Sequence, residues 1–136
     1  MKFKISSETL HFETGVSEIN DKLKDEGPSD FFKPKVYGDP DFRIFAVLSC
    51  MPPEFEAKRR RQFSKKENVL RLDIGLDFSE MTNASEKQKK DIVAEEMLEQ
   101  IPQALRKCRN LHFDVDAFSE DLRSWFQGHN WLSKPN

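Results

Sequence analysis

Glycine is scarce in this chain, at five residues in 136, and cysteine is scarcer still, at two. Five glycines leave little material for the glycine-rich loop that wraps a phosphate. Cys50 and Cys108 are too few for a disulfide framework and read as free, buried thiols of a reducing compartment. His11, His112 and His129 stand far apart, with no helical i, i+4 pair, whereas a zinc site needs about four convergent ligands. Asp114 and Asp116 open like a calcium loop but lack its glycine and its closing glutamate in register. No metal and no cofactor are therefore expected. Cys108 with His112 is the one cysteine–histidine proximity, and Cys108 belongs to an apolar helical stripe. No acid, base and pocket come together, so no enzyme is expected. Long apolar runs are missing as well. The stretch around Phe45-Ala46-Val47-Leu48 falls far short of the roughly 20 residues that span a bilayer. Met1-Lys2-Phe3-Lys4 leads into polar residues, not a signal core, and a cytoplasmic location is expected.

What the chain does hold is aromatic weight and charge. Its twelve phenylalanines supply the large apolar side chains that a disordered chain lacks. A length of 136 residues suits a single domain over 1–136 with its own core. The net charge is −2 and the pI about 6.0, yet the charge is unevenly spread. Segment 1–41 carries −3, segment 42–66 carries +5 and segment 67–136 carries −4. A nucleic-acid binder usually has a high pI; here the basic excess is local.

Alternation over Lys2-Phe3-Lys4-Ile5 predicts a strand, with a second extended piece at Leu10 and Phe12. Ile19 and Leu23 behind Ser17 predict a helix to about Glu26, stopped by Gly27-Pro28-Ser29. Pro34, Gly38 and Pro40 make 30–41 an ordered loop, pinned by Phe31, Phe32 and Tyr37. Run 42–50 is apolar on both parities, as in an interior strand covered on both faces. Strands over 58–64 and 69–78 flank Lys65-Lys66-Glu67-Asn68 as a hairpin. In the second, Leu70, Leu72, Ile74, Leu76 and Phe78 face a core, while Arg71, Asp73 and Asp77 face the open side. Ser85 and Gln88 form a capping box, and Val93, Met97, Ile101, Leu105 and Cys108 make the stripe of the helix that follows. Pro102 inside it predicts a kink or break. Asp114 caps a last helix, with Phe113 and Phe118 as a staple and Phe118, Leu122, Trp125 and Phe126 buried. Hairpin connections and grouped helices predict an α+β fold, a mainly antiparallel sheet with helices packed on one face.

Two charged features compete as surfaces. Lys58, Arg59, Arg60, Arg61, Lys65 and Lys66 suit phosphate contact, which would make a small nucleic-acid-binding module. Strand alternation splits the four consecutive cations between two faces, however, and Asp73 and Asp77 on the neighbouring strand explain them as charge pairing on an edge. The acidic residues Asp39 and Asp41 on the loop, Asp73 and Asp77 on the sheet, and Glu95, Glu96 and Glu99 on the helix are solvated faces or a docking surface for a basic partner. Trp131 reads either as C-terminal packing or as an exposed anchor.

Whole segments resemble a known family. "MKFKISSETLHF", "SDFFKPKVYGD", "QFSKKENVLRLDIGLDF", "IVAEEMLEQIPQAL" and "FDVDAFSEDLRSWF" are similar to immunity protein family 44, among the bacterial immunity proteins of polymorphic-toxin and contact-dependent growth-inhibition systems. The resemblance implies a cytoplasmic inhibitor that binds the toxin domain made by the neighbouring gene, very often a nuclease. It carries no catalytic signature and fixes no contact residue. The seven acidic residues above are the expected toxin-binding set, and a monomer is favoured.

Overall fold

The computed structural model describes residues 1–9, 12–52, 63–66 and 68–133, with the side chains of residues 12 and 63–66 left aside. Strand β1 (Lys2–Thr9) lies beside β2 (Arg43–Met51), in parallel, with Lys2 opposite Arg43 and Thr9 opposite Cys50. The connection, residues 10–42, exceeds the dozen or so residues that a parallel crossover needs. It holds a 3-10 turn (Phe12–Thr14), helix α1 (Val16–Glu26) and helix α2 (Pro28–Phe32). Strand β4 (Val69–Asp77) also runs parallel to β2, with Arg43 opposite Val69 and Met51 opposite Asp77. Strand β3 (Phe63–Lys66) adds a short antiparallel edge to β4, giving the order β1-β2-β4-β3.

The expected mainly antiparallel sheet is thus wrong. Its core is the parallel trio β1, β2 and β4, and among the described strands only β3 and β4 pair antiparallel. The expectation of hairpin connections overlooked that a helix lying between β1 and β2 permits parallel pairing.

Local chemistry explains the other departures. Gly15 (φ 68°), not Ser17, precedes α1, and Gly27 (φ 80°) ends it by donating to Leu23 O and Lys24 O. Pro28 then opens α2 at once, because proline suits the first helical position. Residues 30–32, read as loop, are helical for this reason. Phe12 lies in the 3-10 turn rather than a strand, and Leu10 falls outside the described residues. Asp77 accepts from the Glu80 N–H and starts helix α3 (Phe78–Asn83), which takes Phe78 out of the strand. The Ser85–Gln88 capping box opens helix α4 (Glu86–Lys107). That helix runs unbroken across Pro102, whose ring is buried. Asp114 caps helix α5 (Val115–Gly128) by accepting from the Ala117 N–H at 3.0 Å.

One face of the sheet, from Phe3 and Ile5 through Ile44, Ala46 and Leu48 to Leu70, Leu72, Ile74 and Leu76, is buried. It forms one cluster with Ile19 and Leu23 of α1, Met97 and Ile101 of α4, and Phe118 and Leu122 of α5. Phe32 packs with Phe3 and Phe118 at centroid distances of 5.1 and 5.3 Å, and Tyr37 with Phe113 and Phe118 at 5.5 and 5.6 Å. The loop before β2 is held by the Asp114 N–H, which donates to Tyr37 O at 2.7 Å, and by a bridge between Gly38 and Phe113. A Cβ on Gly38 would stand 1.8 Å from His112 O, so only glycine permits this approach.

Trp131 is buried, its indole N–H donating to the Glu26 carboxylate with Lys90 over its ring, and so is no exposed anchor. Cys50 and Cys108 are not joined in a disulfide, the first being buried and the second half-buried with its thiol donating to Ala104 O. Among the described residues no helix is long and apolar enough to cross a membrane.

Candidate functional site

Parallel register turns strand alternation into rows across the sheet's second face. Lys2, Arg43 and Val69 form the first row; Lys4, Phe45 and Arg71 the second; Ser6, Val47 and Asp73 the third; Glu8, Ser49 and Gly75 the fourth. Lys2, Lys4, Arg43 and Arg71 are exposed, while Phe45 and Val47 are half-buried between them. Positive charge therefore collects where the three strands begin, and carboxylates appear towards their ends. Lys2 registers the crowding: the Lys4 ammonium, then burial, then Arg43 hold its pKa below the usual lysine value.

The far end is built around Gly75. The Gly75 N–H donates to Gln100 Oε1 at 2.9 Å, and Gln100 Nε2 donates back to Gly75 O at 2.9 Å and to Glu96 Oε2 at 2.5 Å. Both Gly75 backbone groups are taken by Gln100, and the described part of β3 reaches as far as Phe63, opposite Leu72. One side-chain amide thus does for this residue what a further strand would have done.

Of the expected contact residues, Glu96 accepts from Gln100, and Asp73 and Asp77 stand two positions either side of Gly75 on β4. Glu95 and Glu99 stand exposed on α4, one turn apart. Asp39 and Asp41 lie elsewhere, in the turn ahead of β2, where Asp39 Oδ1 accepts from the Asp41 N–H at 2.9 Å. The seven acids do not form one patch. Lys58, Arg59, Arg60 and Arg61 fall outside the described residues, and Lys65 and Lys66 are placed only by their backbone in β3.

Among the described residues no group of three or more His, Cys, Asp or Glu is arranged to hold a metal. His129 stacks on Trp125 at 4.0 Å, His112 is exposed, and His11 lies outside the described residues. Tyr37 donates to the Asp121 carboxylate. Burial, then that hydrogen bond, then the negative charge of Asp121 push its phenol well above the ordinary value. A hydroxyl held neutral in this way is a positioning group.

The cationic end of the face was missed by sequence reasoning. The spacing Lys2-x-Lys4 and Arg43-x-Phe45 placed each pair on one side of its own strand. Only the parallel register joins them, and the intervening helix was the signal for it.

A search of curated proteins and a search of solved structures returned no match. The family model described as immunity protein 44 matches residues 1–128, nearly the whole chain. The chain belongs to the immunity protein 44 family.

Proposed function

We propose that this immunity protein binds and neutralises a cognate toxin domain, a nuclease of a contact-dependent growth-inhibition or related polymorphic-toxin system, in the bacterial cytoplasm. The observation that carries the reading is the family match over residues 1–128. Neutralisation of this kind is occupancy: the inhibitor covers a surface the toxin needs, makes and breaks no covalent bond, and requires no cofactor. A nuclease surface that holds nucleic acid is basic, and Asp73, Asp77, Glu95, Glu96 and Glu99 supply a complementary charge at the β4–α4 end. Asp39 and Asp41 offer a smaller, separate acidic contact. Opposed charges speed encounter and disfavour wrong partners. An inhibitory interface takes about 800 Å² from each partner, roughly a tenth of the 8188 Å² surface.

The test is calorimetric titration of the purified chain with the toxin domain encoded beside its gene. A saturable 1:1 complex with submicromolar Kd, and loss of the toxin's nuclease activity on mixing, are expected. No heat at micromolar concentrations refutes the reading.

A further inference from the structure

The cationic end of the second sheet face is not flat. Lys4, Ser6, Phe45, Val47 and Arg71, with Lys24 from the end of α1, line a groove of about 530 Å³. Ile5 and Ser29 complete its wall, and among the described residues no carboxylate lines it. Phe45 and Val47 are half-buried at its apolar floor, while Lys4, Lys24 and Arg71 are exposed around them. We propose that this groove is a second contact for the toxin domain and seats an acidic, convex element of it: a turn whose aspartate or glutamate side chains meet Lys4, Lys24 and Arg71 while an apolar residue rests on Phe45 and Val47.

The inference rests on the toxin-binding reading above and adds a surface of opposite sign to the acidic one. Three cations converging, with no carboxylate among the described lining residues, select an anionic occupant. The apolar floor adds burial that a simple ion would leave unused. A second copy of this chain fits poorly, because two concave, positive faces brought together repel and enclose a void. A nucleic acid fits less well than an acidic protein turn. Single strands are held by successive aromatic platforms, and Phe45 is the one ring among the described residues that line this groove. The chain's net charge of −2 also opposes a polyanion at long range.

Calorimetry with the toxin domain encoded beside the gene tests this, using the full chain and the variants Lys4→Glu, Lys24→Glu, Arg71→Glu and Phe45→Ala. All four sites lie outside the buried core, and Lys24 sits on a different element from the rest, so a folding defect in one variant leaves the others informative. Each charge reversal is expected to weaken binding about 30-fold and Phe45→Ala about 10-fold. Lys87→Glu, an equal change of net charge on the exposed start of α4, should leave Kd within about 3-fold, which separates local contact from long-range attraction. Wild-type binding that all four groove variants retain overturns the groove while leaving the toxin-binding reading intact. Absence of wild-type binding sinks that reading and the groove with it. A labelled single-stranded RNA or DNA retained by the wild type and lost by Arg71→Glu, with toxin affinity unchanged, also overturns the proposal and gives the groove to nucleic acid.

Discussion

Tyr37 is the chain's one tyrosine, which makes its environment directly readable. Its hydroxyl donates to Asp121, from a residue 84 positions away, and so ties the loop before β2 to α5. Its pKa lies above the ordinary 10.0. The fold therefore favours the neutral phenol. The stability this contributes is complete below the unfolded pKa and is lost as pH rises beyond it towards the folded value. An absorbance titration of the native protein should show no phenolate at pH 10, with ionisation appearing only at higher pH or together with loss of the fold. Tyr37→Phe should lower stability by about 1 kcal/mol, seen in denaturant unfolding, and remove the delayed titration. The role of Tyr37 as a pin was legible in the sequence, since an aromatic among Pro34, Gly38 and Pro40 has little other reason to be there. Its partner was not, because nothing local marks Asp121 as lying opposite a loop so distant in the chain.

Among the elements, α4 and β4 depend on each other through Gln100. Removing its amide leaves the part-buried Gly75 N–H and carbonyl without their partner. Gln100→Ala should therefore cost about 2 kcal/mol, measured by denaturant unfolding, and speed amide exchange at Gly75. Gln100→Glu should cost at least as much, because a carboxylate then faces both Gly75 O and Glu96 and the donor is gone. The elements themselves were largely legible. The Ser85 capping box, the Asp114 cap and the alternation of Leu70, Leu72, Ile74 and Leu76 all rest on short-range chemistry, and the structure has each of them. Strand polarity was not legible in the same way, since it depends on which segments pair across the chain. For a related reason Pro102 does not break its helix. The lost backbone bond is a local cost, and burial of residues 101, 102 and 105 against the core offsets it.

For the whole molecule, a net charge of −2 conceals two poles. On the sheet's second face and its rim, Lys2, Lys4, Lys24, Arg43 and Arg71 lie towards the strand starts, where Asp39 and Asp41 offset part of their charge, with Asp73, Asp77 and Glu96 towards the other end. A partner matched to both poles approaches in one orientation. Its association rate should fall by about 10-fold or more between 50 and 500 mM salt while dissociation changes far less, as stopped-flow mixing with the toxin domain can record. Composition could not disclose these poles, because opposite charges cancel in a total and separate only once the register is known. The clamp at Gly75 carries a consequence for the manner of recognition. An incoming chain cannot extend the sheet by strand addition at that residue without first evicting Gln100, since the hydrogen-bonding groups it would use are already taken. Any partner that meets the sheet at this residue must therefore be read by side chains and not by the strand's own backbone.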